Sequence, residues 1–190
     1  ETVSPGGSFS VIFGSRMAIR GVLNDSTMRI FCPFRSSRMT EKLPPLLTVS
    51  TGMDAMTHAV EALQSTQREP IADGLAMQAI RLLHRDLPVC AQNGADLAAR
   101  GQVQLAATMA GWAFGNAKVG LVHAMAHSLG AIARVPHGIA NGILLPHVMT
   151  FNRDDAAEGY AMAAEAMGGR EKGMDERGAA EAAASEMGSF

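Results

Sequence analysis

The sequence predicts a mainly α-helical domain that follows a short region of strands and loops. Composition is the first reason. Hydrophobic residues make up 47% of the chain but aromatic residues only 5%, so the apolar content is mostly Ala, Leu, Met and Val, which pack well between helices. Periodicity is the second reason, because from Thr51 onward apolar residues recur at helical spacing almost without interruption.

Residues 1–43 have a different pattern. Short β-type runs at 9–13 and 28–31 are separated by Gly, Asn and Ser, which are typical of loops. Pro44 and Pro45 then interrupt the chain. We therefore predict a domain boundary near residue 44, with strands and loops before it and an all-helical domain over 44–190.

Caps and prolines set the limits of seven predicted helices. The first begins after an N-cap at Ser50 or Thr51 and ends near residue 63. The second ends near Arg85, because Pro88 disfavours helical geometry in the residue before it. Pro136 marks a turn and can also open the next helix, since proline is tolerated in a first helical turn. The last helix is Ala-rich and has little to bury. The predicted ranges after the first helix are 71–85, 95–114, 120–132, 136–149, 154–167 and 176–187.

Charge, hydropathy and cysteine content exclude several classes of protein. The formal net charge is −2, and Lys and Arg are scattered among acids, so we expect no nucleic-acid partner. No uninterrupted apolar stretch of about twenty residues occurs, which argues against a membrane-spanning protein. The two cysteines, Cys32 and Cys90, form no CxxC pattern, and a reducing, cytoplasmic location fits them best.

Two pairs of polar side chains have the i, i+4 spacing that places both members on one helix face. Asp54 and His58 form one pair, and His123 and His127 form the other. Apolar residues flank Asp54, and burying an isolated ionised carboxylate among them is costly unless a cation offsets the cost. The two pairs therefore indicate a shared metal site, although single helical histidines are more often surface or core residues.

His137 can reach the same point as His123 only if the chain reverses between them. Along one continuous helix the two residues would be roughly 21 Å apart, at about 1.5 Å per residue. The turn predicted at Pro136 removes this obstacle. The spacing then allows one aspartate and up to three histidines around one ion, and imidazole with carboxylate suits Fe(II), Zn(II), Mn(II) or Co(II).

Five distinctive blocks of sequence occur between about Leu43 and Asn152: TGMDAMTHAVEA at 51–62, GWAFGN at 111–116, GLVHAMAHSLG at 120–130, VPHGIAN at 135–141 and LLPH at 144–147. In sequence and in order, these blocks resemble the signature blocks of the iron-containing alcohol dehydrogenase family.

The resemblance assigns roles that spacing leaves open. The family's four metal ligands are carried over to Asp54, His58, His123 and His137. His127 is then not a ligand but a catalytic or proton-relay group beside the nicotinamide. Phe114 is expected to face the substrate and the nicotinamide, so His127 and Phe114 are both expected to contact the cofactor.

The family's fold and reaction follow as further expectations. Its dehydroquinate synthase-like architecture joins an N-terminal α/β nucleotide-binding domain to a C-terminal helical domain, with the active site between them. Here residues 1–43 resemble a remnant of the first domain, and 44–190 resemble the second, incomplete at its C-terminus. The glycine-rich stretch for the cofactor is missing, and the chain opens at Glu1 without a signal-peptide pattern, so we expect a piece of a longer protein.

The implied enzyme interconverts a small alcohol and an aldehyde or ketone by hydride exchange with NAD or NADP. Its metal is expected to be Fe(II), with Zn(II) possible in its place. The fragment alone is expected to be inactive, and the full-length protein is expected to be a homo-oligomer without a membrane partner. Two alternatives stay open: a non-catalytic metal-binding or interaction domain derived from this family, and a related enzyme of the glycerol dehydrogenase or maleylacetate reductase type.

Overall fold

The computed structural model describes residues 33–190, with side chains from Ser37 onward. The described residues form eight α-helices and no strand, which confirms the predicted mainly α fold class. The strands expected at 9–13 and 28–31 lie outside the described residues. The helices are α1 (Pro33–Thr40), α2 (Pro45–Gln64), α3 (Pro70–Gln92), α4 (Leu97–Ala117), α5 (Leu121–Ala133), α6 (His137–Phe151), α7 (Ala157–Met167) and α8 (Glu176–Ser189).

Helix α2 is at the centre of the arrangement, in contact with α3, α4, α6 and α7. Its large apolar side chains Met56, Val60 and Leu63 are fully buried and join those of α3, such as Ile80 and Leu83, in one hydrophobic core. Helix α5 packs beside α6, and α8 packs against α6 and α7. None of the described helices has both the length and the apolar content needed to cross a bilayer.

Small residues let the outer helices approach α2 closely. A methyl group at Gly159 of α7 would lie 2.2 Å from the Leu63 carbonyl oxygen, so these two helices meet at the backbone. The Ala-rich helix α8 buries Ala179, Ala180 and Met187. The expectation that this helix has little to bury was therefore wrong, because its alanines pack into the same hydrophobic core as the other helices.

Three helix limits differ from the prediction, and proline is involved in each difference. Residues 33–40 form a helix that opens at Pro33, where strands and loops were expected. Helix α2 starts at Pro45 rather than after Ser50 or Thr51, because proline fits the first helical turn. The Thr51 hydroxyl donates to the Leu47 carbonyl inside that helix instead of capping an end.

Helix α3 continues through Pro88 to Gln92 instead of ending near Arg85. A proline inside a helix costs about 3 kcal/mol. Burial of Leu87 and Cys90 offsets this cost, since both are almost completely inaccessible to solvent.

The remaining helices lie within a few residues of their predicted limits. Asp96 and Asp175 cap α4 and α8 by accepting hydrogen bonds from backbone N–H groups of the first turn. The predicted turn at Pro136 is present: α5 ends at Ala133, Arg134 adopts a left-handed conformation, and Pro136 precedes α6. The domain boundary near residue 44 stays a prediction.

Candidate metal centre

Helices α2, α5 and α6 bring the predicted ligands to one place. Asp54 and His58 are one turn apart on α2, while His123 lies on α5 and His137 opens α6. The turn at Pro136 reverses the chain, so His137 returns toward His123, and their ring centroids are 5.4 Å apart.

Asp54, His58 and His123 form the tightest part of this cluster. Each offers one ligand atom, and these atoms all lie within 4.8 Å of one another. His123 is buried, and the Asp54 and His58 side chains are 28% and 19% exposed. This spacing fits a site in which all three side chains hold one metal ion.

His137 joins the cluster from the solvent side through Asp54. Its Nε2 atom lies 3.2 Å from Asp54 Oδ1, and its side chain is 41% exposed. His123 Nε2 lies 3.5 Å from the same oxygen. Asp54 is thus shared between imidazoles of two different helices.

Asn141 provides a test of whether this cluster suits a cation. Its Nδ2 atom donates to Asp54 Oδ1 at 2.7 Å and lies 3.1 Å from His137 Nε2 and 3.4 Å from His123 Nε2. A carboxylate oxygen and two imidazole nitrogens therefore converge on one amide nitrogen, which has only two hydrogens. Among the described residues, the buried Asn141 Oδ1 has no hydrogen-bond partner. These are atom types that bind divalent metal ions, and their convergence on one point fits such a cation once both imidazoles are neutral.

The His58 ring is held between two other rings. Phe114 of α4 stacks on one face with a centroid distance of 4.1 Å, and His123 stacks on the other at 4.4 Å. Phe114 therefore restricts the orientation of a predicted ligand. Its predicted contact with the nicotinamide stays a prediction.

His127 lies beside the cluster. Its exposed ring stacks on His137 at a centroid distance of 5.1 Å and meets His123 edge-on at 6.1 Å. Neither His127 nor His137 belongs to the group of described side chains whose ligand atoms all converge, but His137 Nε2 lies 3.2 Å from Asp54 Oδ1. The role of His127 outside the ligand set stays a prediction.

The pKa values of Asp54 and His58 are both lowered, which favours the forms that can donate an electron pair to a metal ion. Burial opposes ionisation of Asp54, but the His123 hydrogen bond and the positive potential of His58 and His137 lower its pKa. Burial lowers the pKa of His58, which favours the neutral ring. Burial also disfavours charged His123, but hydrogen bonds to Asp54 and Glu61 outweigh burial and raise its pKa to about 9. His123 must therefore lose a proton before its Nε2 atom can bind a metal.

Two residues of the site, Glu61 and Asn141, were not assigned from the sequence. Glu61 is 1% exposed and accepts a hydrogen bond from His123 Nδ1 at 2.6 Å. It lies seven residues after Asp54 on an otherwise apolar helix face, which is the signal that could have identified it. Asn141 lies four residues after His137, on the same face of α6.

Fold and site together define a class of protein: a helical domain in which one carboxylate and three imidazoles converge from three helices. Residues 48–190 match the sequence model of a protein family described as "Fe-containing alcohol dehydrogenase family, C-terminal". The chain belongs to this family.

Individual relatives agree with the family assignment. The chain is 49% identical over 140 residues to the 1,3-propanediol dehydrogenase of Klebsiella pneumoniae, covering 74% of the chain and 36% of that enzyme. It is 42% identical over 158 residues to the NADPH-dependent butanol dehydrogenase of Clostridium saccharobutylicum, covering 83% of the chain and 40% of that enzyme. The chain thus spans about two fifths of the length of these relatives.

A solved structure has the same fold. The crystal structure of a 1,3-propanediol oxidoreductase superimposes with a TM-score of 0.78 at 44% sequence identity. The similarity covers 80% of this chain and 40% of that one. The described helices therefore correspond to one part of a larger enzyme fold.

Proposed function

We propose that this chain is the metal-binding half of an alcohol dehydrogenase that interconverts a small alcohol and an aldehyde or ketone by hydride exchange with NAD or NADP. The observation that carries the proposal is the convergence of Asp54, His58, His123 and His137 in a chain of this family. The names of the relatives, a propanediol and a butanol dehydrogenase, support small alcohols as the substrate class.

The four converging side chains are the proposed ligands of one divalent ion, with Fe(II) as the first choice and Zn(II) as the alternative. A bound ion of this kind supplies Lewis acidity toward the oxygen of the alcohol or carbonyl substrate. Asp54 contributes the negative charge of the ligand set, and the lowered pKa values of Asp54 and His58 keep both ready to bind. The exposed edge at His137 is the proposed side of substrate approach.

His127 and Phe114 are the proposed contacts of the nicotinamide, which supplies or accepts the hydride. His127 is exposed next to His137, so its ring lies beside the cluster and faces solvent. Phe114 stacks on His58 and holds that ring in place. The cytoplasmic location and the homo-oligomeric state of the whole protein stay predictions.

Metal binding by the purified chain tests the ligand set. Elemental analysis after anaerobic loading with Fe(II), or loading with Zn(II), should give one tightly bound ion per chain. Asp54→Ala and His137→Ala should each bind the ion more weakly, so that less metal remains bound after dialysis. His147→Ala is the matched control, because this exposed histidine is also on α6 but outside the cluster. Unchanged metal content in both ligand variants would show that the ligand assignment is wrong.

A chimera tests the reaction and separates it from the non-catalytic alternative. The matching 140-residue segment of the Klebsiella pneumoniae enzyme is replaced by that of this chain, at 49% identity. Alcohol-dependent reduction of NAD or NADP, abolished by Asp54→Ala, is the expected result. A chimera that binds one metal ion per chain but reduces neither nucleotide would favour the non-catalytic domain instead.

A further inference from the structure

Glu61 is a buried acid that the reaction proposed above does not use. It lies on α2, 1% exposed, one turn beyond His58. Burying a carboxylate is costly unless hydrogen bonds or opposite charges compensate. Within residues 33–190, its ion-pair partner is a histidine, His123, rather than a lysine or an arginine. The compensation therefore comes from hydrogen bonds and from the interaction with His123, and not from a lysine or an arginine among these residues.

The Glu61 carboxylate receives three close hydrogen bonds, all from the start of α5. The backbone N–H groups of Gly120 and Val122 donate at 2.8 and 2.7 Å, and His123 Nδ1 donates at 2.6 Å. Gly120 has no side chain with which to cap α5, so an acid from another helix satisfies the free N–H groups. The positive end of the helix dipole also favours a carboxylate at this place.

The same carboxylate determines which nitrogen of His123 carries a hydrogen. Both carboxylate oxygens of Glu61 already accept hydrogen bonds from backbone N–H groups, so we assign the nitrogen that faces them, Nδ1, as the donor. The electron pair available for a ligand is then on Nε2, which points toward Asp54 and Asn141 at 3.5 and 3.4 Å. Acceptors behind metal-bound histidines generally fix the tautomer and the ring plane in this way.

The space around the carboxylate is tight. A methyl group added at Gly120 would lie 3.1 Å from Glu61 Oε1 and 2.6 Å from Gln64 Nε2. The carboxylate therefore lies close to the Gly120 backbone, in space that a side chain at this position would occupy.

We propose that Glu61 is a positioning residue that acts through His123: it holds Nδ1–H and thereby aims Nε2 at the metal, so that metal binding is coupled to the first turn of α5. This inference rests on the metal centre proposed above. It predicts that neutralising Glu61 weakens and distorts the metal site without removing any ligand.

Co(II) binding to the complete chain tests the proposal, because its visible absorption reports ligand geometry. Glu61→Gln should lower Co(II) affinity by about 10- to 100-fold and change the visible bands. Glu69→Gln is the matched control: Glu69 caps α3 by accepting from the Ile71 and Ala72 N–H groups and has no contact with the cluster among the described residues. This control should leave affinity and spectrum unchanged.

The possible results distinguish the two proposals. If Glu61→Gln binds Co(II) with unchanged affinity and spectrum, Glu61 has no positioning role, even though the metal centre stands. If Asp54→Ala binds Co(II) as the unmodified chain does, the metal centre itself is wrong.

A second measurement uses the unmodified chain, so its result does not depend on whether a variant folds. Nitrogen-15 NMR of the Zn(II)-loaded, unmodified chain should find His123 with a hydrogen on Nδ1 and zinc on Nε2. The opposite arrangement would overturn the role of Glu61, whatever the stability of its variants.

Discussion

Gly138→Ala should disrupt the metal centre from outside the ligand set. Gly138 follows His137 on α6, and a methyl group there would lie only 1.9 Å from the backbone oxygen of Ser50 on α2. Moving that carbon out to 3.4 Å, an ordinary contact distance, requires α6 to retreat from α2 by about 1.5 Å. Protein interiors are close-packed, so neighbouring side chains cannot easily rearrange to accommodate such a shift.

The retreat of α6 would separate ligands on two helices. His137 and Asn141 of α6 now lie 3.2 and 2.7 Å from Asp54 of α2, and a further 1.5 Å or so takes both beyond hydrogen-bond distance. We expect Zn(II) affinity, measured by isothermal titration calorimetry, to fall by about 10- to 100-fold. Overpacking should also destabilise the metal-free chain by about 1–3 kcal/mol.

Gly142→Ala is the matched control for this change. It lies one turn further along α6 and also faces α2, but its added methyl group would lie 3.5 Å from the Met53 side chain, an ordinary contact. This variant should bind Zn(II) as the unmodified chain does. The reasoning fails if Gly138→Ala binds Zn(II) as tightly as Gly142→Ala.

Further predictions concern stability, ionisation and the second histidine of α5. Gly159→Ala forces a methyl group to 2.2 Å from the Leu63 backbone and should lower the free energy of unfolding. Gly74→Ala adds a methyl group with no described atom within 4 Å and should raise the free energy of unfolding by up to about 1 kcal/mol. Equal urea midpoints of the two variants would contradict this. Burial raises the pKa of Tyr160, the sole tyrosine, so its near-ultraviolet titration should show no tyrosinate near pH 10 until the chain unfolds. The folded state holds the Tyr160 proton more tightly than the unfolded state does. The stability that this difference contributes is therefore present below about pH 10 and is lost as the pH rises further. Tyrosinate in the folded chain near pH 10 would refute this prediction. His127→Ala should keep the metal ion but slow hydride transfer in the chimeric enzyme, and loss of the ion would place His127 among the ligands.

Spacing alone could bring the ligands close to one another but could not choose among the histidines. The i, i+4 pairs and the turn at Pro136 follow from the sequence, and the structure has the predicted helices and the turn there. Spacing treats His123 and His127 alike, since both are on one face of α5. The neighbours from α2 and α6 distinguish them: His123 lies between Asp54 and Glu61, whereas His127 contacts His137 at the surface.

The helix limits and the polar partners were harder to predict because they depend on tertiary contacts. A proline inside α3 is acceptable only because Leu87 and Cys90 are buried beside it, and sequence periodicity does not report that burial. Glu61 resembles an ordinary helical acid in the sequence. Its role depends on free N–H groups at the start of α5, fifty-nine residues further along the chain.

X-ray absorption at the zinc edge of the Zn(II)-loaded chain tests the central claim most directly. Four residues are proposed as ligands, so the spectrum should fit three imidazole nitrogens and one carboxylate oxygen at about 2.0 to 2.2 Å. His137→Ala should remove one imidazole from that shell, and His127→Ala should leave it unchanged. A shell that loses an imidazole with His127→Ala and keeps all of them with His137→Ala would contradict the proposed metal centre.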